Sequence, residues 1–233
     1  MTQNSDVSAF LDVYNKADAL IFDMDGTLIL SNHLFTLMDD RFREAHNIAE
    51  SYFDPCFPHL TFMERAEFVK KRCNLDMEPQ DICAEWTKYA VEEYLNSPPQ
   101  AGVNPFLKRA MIDGKALGIS TTASQDLTAL VIMKEGWEDV FQCFSTVDEV
   151  GKGKPHPHVY QATADKLGID NKKCIVFEDS ISGVKGARNF DPLAIVAVNG
   201  FWGQDTVDYV SKEADFYFHN YTPIIVALNE LEK

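Results

Sequence analysis

Apolar and polar positions divide the chain into two regimes. The run Ala19-Leu20-Ile21-Phe22 is cut off by Asp23 and Gly26, which predicts a short buried strand opening into a loop. From Ser31 to about Pro99 the spacing is helical instead. Leu34, Phe35, Leu37, Met38 and Phe42 make one stripe, and Met63, Ala66, Phe68 and Val69 make a second that ends near Asn74. Ile82, Trp86, Tyr89, Ala90 and Tyr94 make a third, starting after Pro79 and stopping before Pro98-Pro99. Nothing in this stretch alternates like a strand. Ahead of it, residues 1–16 suit one or two amphipathic turns behind a frayed start.

After Gly102 the pattern becomes an alternation. Helices are expected around Phe106–Met111, Leu127–Met133, His158–Leu167 with Gly168 as its cap, and Val184–Phe190. Strands are expected at Ala116–Ser120, Phe141–Phe144, Cys174–Phe177 and Leu193–Val198, with Asp215–Phe218 as an edge strand before a terminal helix. Strands alternating with helices imply an α/β fold with a parallel sheet, and ligands in such sheets sit beyond the carboxyl ends of the strands.

Composition narrows the class without naming a function. The 233 residues are 45% hydrophobic and 24% charged, which suits a folded chain with one large or two modest cores. A formal net charge of −15 argues against a nucleic-acid groove or an anionic membrane surface as partner. Five scattered cysteines with no C-x-x-C pair read as reduced packing thiols. With no secretory leader pattern and no apolar run near the roughly 18 residues of a membrane span, the expectation is a cytoplasmic protein.

The chemistry gathers at four strand ends. The first carries Asp23 and Asp25 in D-x-D-G-T, like charges that are unfavourable side by side unless a cation or a reaction uses them; read alone, the motif also describes a solvated turn. The second ends in Ser120-Thr121-Thr122, hydroxyls and N–H groups at a helix start, which suit an anion. The third leads into Gly151-Lys152-Gly153-Lys154-Pro155, and the fourth ends in Glu178-Asp179-Ser180. Converging carboxylates suit a hard cation such as Mg²⁺, and a lysine with a helix start suits phosphate.

These residues resemble the four motifs of the haloacid dehalogenase superfamily. Asp23 to Thr27 match its first motif, Thr121 its second, Lys154 in Gly-Lys-Pro its third and Glu178-Asp179 its fourth. The resemblance implies a Rossmann-like doubly wound parallel sheet formed by 1–30 and 100–233, with 31–99 as an inserted helical cap domain like that of the subgroup holding β-phosphoglucomutase and sugar-phosphate phosphatases. It implies a Mg²⁺-dependent phosphatase acting on a small phosphorylated metabolite, such as a sugar phosphate, through an aspartyl phosphate. Asp23 would be the nucleophile and Asp25 the acid and base. Asp23, the Asp25 carbonyl, Asp179 and Glu178 (directly or through water) would hold the metal. Lys154, Thr121 and the N–H of Thr122 would hold the phosphoryl group. The alternatives are a phosphoglucomutase-like shuttle and a non-catalytic phosphate-binding protein.

The insertion departs from the family pattern in two places. Phe35 stands where the mutase branch has a histidine, and His59–Arg65, the segment facing the site, lacks the usual glycine. There Phe62 is expected to narrow the pocket and Arg65 to meet a second anionic group, unless both serve packing or the surface. Trp86, Tyr89 and Tyr94 read as cap core. Lys152 reads as a surface residue, and His156 and His158 as positional. Ser31 and Pro98–Gly102 are the expected hinges.

Overall fold

A computed structural model describes residues 6–49, 51–52, 60–200 and 202–230, and the side chain of Phe35 lies outside that description. His59 and Cys56 also lie outside it. Cys73, Cys83, Cys143 and Cys174 are free thiols.

Six strands build one sheet: β1 Ala19–Phe22, β2 Ala116–Thr121, β3 Cys143–Thr146, β4 Cys174–Glu178, β5 Ala194–Val198 and β6 Phe216–Phe218. Their order is β3-β2-β1-β4-β5-β6, and every pairing is parallel. The order reverses between β1 and β4, which is where a doubly wound sheet opens a crevice at its carboxyl edge. Register keeps that edge level, since Phe22 pairs with both Ile119 and Phe177.

Helices cover both faces, which is why β1, β4 and β5 are buried along their whole length. On one face, α1 Val7–Tyr14, α5 Val103–Ile112, α6 Gln125–Glu135 and α11 Thr222–Glu230 pack on Leu20, Phe22, Ile175 and Phe177. The opposite face takes α8 His158–Leu167, α9 Ile181–Phe190 and α10 Gln204–Glu213 on Ala19, Ile21, Val176 and Ile195. The period of two along each strand thus assigns alternate residues to the two cores.

Between β1 and α5 come α2 Leu34–Ala45, α3 Phe62–Cys73 and α4 Pro79–Asn96. Thr61 and Glu64 form a reciprocal cap that fixes the start of α3. Pro79 opens α4, where its missing N–H costs no hydrogen bond. The two chain crossings are laced together: Leu30 N–H donates to the Pro98 carbonyl at 2.9 Å and Gln100 N–H to the Leu28 carbonyl at 2.8 Å.

Three sequence expectations need correction. The strand expected at Phe141–Phe144 begins at Cys143, because Phe141 turns into the core against Trp137 at 5.7 Å instead of joining the sheet. The helix α7 Val147–Val150 after β3 was not anticipated. Nor was α10, whose only fully buried side chain is Val210. Tyr89 packs against the core only at its edge, half-buried, with its hydroxyl donating to Glu85 at 2.6 Å. No helix among the described residues is long and apolar enough to cross a membrane.

Candidate active site

The strand ends converge as their spacing predicts. Asp23 and Asp25 leave β1, Glu178 ends β4 with Asp179 next, and Lys154 enters from the loop before α8. All five side chains are buried, Lys154 to 3% exposure and Glu178 to 0%. Lys154 Nζ donates to Asp23 Oδ1 and Glu178 Oε1, each at 2.5 Å, and to the Ser120 carbonyl at 3.3 Å. One ammonium therefore ties three strand ends together.

Glu178 is fully engaged. Its Oε1 also accepts from the Tyr160 hydroxyl at 2.5 Å, and its Oε2 accepts from the Asp179 N–H at 3.2 Å. Asp179 Oδ2 accepts from Asn32 Nδ2 at 2.8 Å and from Trp202 Nε1 at 2.7 Å. Asp25 Oδ1 accepts from Ser31 Oγ at 2.6 Å, and the phenol of Tyr94 on α4 also bonds to this carboxylate. Its Oδ2 has no other donor among the described residues. Gly26 sits at φ +85°, and a Cβ there would fall 2.0 Å from Asp179 Oδ2, so only glycine lets the acidic loop close on β4.

The electrostatics follow from that crowding. Burial raises the Asp23 carboxyl well above its usual range; Lys154 pulls it back, and Glu178, Asp179 and Asp25 push it up further. Burial likewise raises Asp25, against the opposing hydrogen bonds of Ser31 and Tyr94. Asp179 is pushed up to about 8 by burial and by the charge of Glu178. Lys154 is raised as well, which keeps it charged. Burial alone would lower it, and Asp23 and Glu178 more than reverse that.

Four carboxylates around one ammonium leave room for a further cation. Oxygens of Asp23, Glu178 and Asp179 lie within 4.8 Å of one another, and all three residues are buried. An all-oxygen donor set of this kind suits Mg²⁺, and the raised carboxyl groups are those an ion would return to their charged forms.

Thr121 and Thr122 divide their expected roles. Thr121 is fully buried, and its hydroxyl oxygen accepts from the Ala123 N–H at 3.0 Å. Thr122 lines the cavity above the carboxylates. Lys152, His156 and His158 are exposed.

The insertion supplies residues that the strand-end comparison missed. Tyr94 is buried as expected of a core residue, yet its phenol acts on Asp25. Arg65 on α3 is 8% exposed and lines the same cavity. Burial pulls its guanidinium down to about 10, against the charges of Asp148, Tyr94 and Asp25. Trp202 follows the fifth strand end, so carrying the comparison one strand further would have found it. Asn32 and Tyr160 carry no such signal: each is one polar residue beside a motif.

Known proteins resemble this chain in sequence and in fold. A family model described as haloacid dehalogenase-like hydrolase matches residues 17–191. A haloacid dehalogenase-like hydrolase domain-containing protein of Arabidopsis thaliana is 29% identical over 213 residues, 73% of this chain and 65% of that protein. The chain thus spans about two thirds of that relative's length. A phosphorylated carbohydrates phosphatase of Thermotoga maritima is 29% identical over 74% of this chain and 81% of its own. Among solved structures, that of CbbY from Rhodobacter sphaeroides with phosphate shares the fold at TM-score 0.75 and 18% identity, over 88% of this chain and 95% of that one. The chain belongs to the haloacid dehalogenase-like hydrolase family.

Proposed function

We propose that this enzyme is a Mg²⁺-dependent phosphatase of a small phosphorylated metabolite that works through an aspartyl phosphate on Asp23. The observation that carries the reading is Asp23 itself: a buried carboxylate at the switch point, its Oδ1 held 2.5 Å from Lys154 Nζ, with Asp25 two residues away.

In the first step an oxygen of Asp23 forms a bond to phosphorus while the bond to the leaving oxygen breaks. Asp25, kept protonated to higher pH by burial, gives its proton to that oxygen. In the second step Asp25 takes a proton from water, and the water oxygen displaces Asp23 from phosphorus. Lys154 bridges Asp23 and a phosphoryl oxygen, while Thr121 and the Thr122 N–H hold another. Thr121 can do so because its oxygen is already fixed by the Ala123 N–H, which leaves the hydroxyl hydrogen to donate. Asp23, Asp179, the Asp25 carbonyl and Glu178 would hold the metal, with Asn32 and Trp202 orienting Asp179. A bound Mg²⁺ supplies positive charge against the phosphoryl oxygens.

The segment 31–99 is proposed to act as a cap over this site, with the paired crossings near Ser31 and 98–102 as its hinge. Release of inorganic phosphate from a panel of phosphomonoesters, with and without Mg²⁺, tests the whole reading. Phosphate released from none of them would overturn it.

A further inference from the structure

The insertion joins the sheet at two crossings, and each sends side chains into the site. On the outward crossing two neighbours diverge. Ser31 Oγ donates to Asp25 Oδ1 at 2.6 Å, and Asn32 Nδ2 donates to Asp179 Oδ2 at 2.8 Å. The same Asn32 nitrogen donates to the Gly200 carbonyl, in the loop that follows β5. On the return crossing, Gln100 Nε2 donates to the Asn199 carbonyl at 3.0 Å and to the Gly26 carbonyl at 3.3 Å. Both crossings therefore hold the loop after β5. That loop carries Trp202, whose indole N–H is the second donor to Asp179 Oδ2.

Glycine backbone closes around Asn32 from two sides. A Cβ on Gly200 would fall 2.0 Å from Asp179 Oδ2 and 2.5 Å from Asn32 Nδ2, and one on Gly26 would fall 2.1 Å from Asn32 Oδ1. With both N–H donors on Oδ2, the other oxygen of Asp179 is left for a cation. Asn32 also lines the cavity, and its buried Oδ1 has no hydrogen-bond partner among the described residues. An acceptor in that state is unfavourable unless something donates to it. Mg²⁺ keeps several of its waters when carboxylates bind it, and such a water is a donor that this acceptor suits.

We propose that Asn32 is a positioning residue that couples Mg²⁺ binding to the seating of the insertion. A swing at Ser31 that carries Asn32 away strips Asp179 of a donor and leaves the Gly200 carbonyl without this partner, so the ion is held tightly only while the crossings stay seated. This rests on the metal assignment in the phosphatase reading above. The coupling is reciprocal: the factor by which a seated Asn32 tightens the ion is the factor by which the ion favours the seated crossings.

Magnesium chloride titrated calorimetrically into the metal-stripped full chain tests the first half. Asn32→Ala should weaken Kd by about tenfold or more, the scale for removing a hydrogen-bond partner of a metal ligand. A merely structural role would lower the metal-free Tm and leave Kd unchanged, which would overturn the proposal. Amide exchange tests the second half. Leu30 N–H, on the Pro98 carbonyl, and Gln100 N–H, on the Leu28 carbonyl, report opening of the crossings. Saturating Mg²⁺ should slow both by about tenfold in the wild type and neither in Asn32→Ala. Exchange unchanged by Mg²⁺ in the wild type would overturn the coupling. Trp202→Phe is the control, and it serves if Asn32→Ala does not fold. It removes the other donor to Asp179 Oδ2 and leaves Asn32 in place, so Kd should weaken while the slowing persists at saturation. Loss of the slowing there would overturn Asn32 as the tie. None of these measurements uses an ester, so they stand apart from hydrolysis. A wild-type chain that binds no Mg²⁺ would sink the metal assignment as well, whereas bound Mg²⁺ with an unaltered Kd in Asn32→Ala sinks the coupling alone.

Discussion

The two walls of the cavity are built from different materials. The floor comes from the ends of β1, β2 and β4, with the loop before α8. It is charged, buried and tied together by Lys154. The opposite wall comes from α2, α3, α4 and Tyr52, and it mixes the rings of Tyr52, Phe62 and Trp86 with Thr36, Met38, Asp39 and Arg65. A strand end in a parallel sheet is held by neighbours on both sides, so groups placed there keep their separations to a fraction of an ångström. Helices on an insertion are constrained mainly by one another and tolerate a change of side chain without disturbing the sheet. The division assigns the reaction to the floor and discrimination to the wall. Floor substitutions should therefore act on every substrate alike, and wall substitutions unequally.

The largest effect expected is at Asp23, the proposed nucleophile. Asp23→Asn should lower kcat by about 10⁴-fold or more for all esters, because no covalent intermediate can form. Phosphate release from two unrelated esters checks it. Loss for one ester with activity near wild type for the other would break the division outright.

Metal removal should come next, and its pH dependence has a definite sign. Asp179, at about 8, and Asp23, raised in the same direction, keep their protons in the metal-free folded protein at pH values where the unfolded chain has lost them. Stability then falls as pH rises from about 4 to about 8. Lys154 adds no slope there, since a raised lysine is charged in both states over that window. Mg²⁺ favours the ionised carboxylates, so its stabilisation should grow over the same range. Near pH 8, saturating Mg²⁺ should raise Tm by about 5–10 °C. A thermal scan from pH 6 to 9 would show it, and a metal-induced shift that shrinks with pH would contradict the carboxylate cluster as the binding site.

The same division explains what was legible in the sequence. Asp23, Asp25, Lys154, Glu178 and Asp179 could be named because strand ends are marked by abrupt changes from apolar to polar residues, and the parallel topology brings those ends together. The fold followed from the same signal, and the departures were local. Phe141 is as apolar as a strand residue yet packs on Trp137, and α10 escaped notice because little of it is buried. The wall was far less readable. Trp86 and Tyr94 share a helical stripe, and periodicity reports that a residue is covered without saying by what. One lines the cavity and the other meets the Asp25 carboxylate, a distinction that only the packing of α4 over the sheet decides.

Arg65 tests the boundary between the two regions, because it stands on the wall and acts on the floor. Its guanidinium opposes the rise of the Asp25 carboxyl, which burial drives. Arg65→Met keeps the packing of the stem and removes the charge. It should lower kcat by about tenfold for all esters, in proportion to a lost charge contact at the reacting centre. A loss confined to substrates with a second anionic group would instead make Arg65 part of the discriminating wall.

Tyr94 gives the smallest effect and the sharpest reading. Its phenol, on α4, bonds to Asp25 and helps hold that carboxyl down against burial. The hydrogen bond favours the ionised form, so Tyr94→Phe should let the Asp25 pKa rise further. Leaving-group protonation needs the neutral acid, and activity falls as pH climbs through that pKa. The variant should therefore move the basic limb of the kcat profile to higher pH, with a loss at the optimum of less than about tenfold. The shift should be the same for any two phosphomonoesters with different leaving groups, since a hydrogen bond to the acid is blind to what leaves. A limb that stays in place would mean that Asp25 is not the group whose proton limits the rate, and a shift seen with only one substrate would place Tyr94 with the wall.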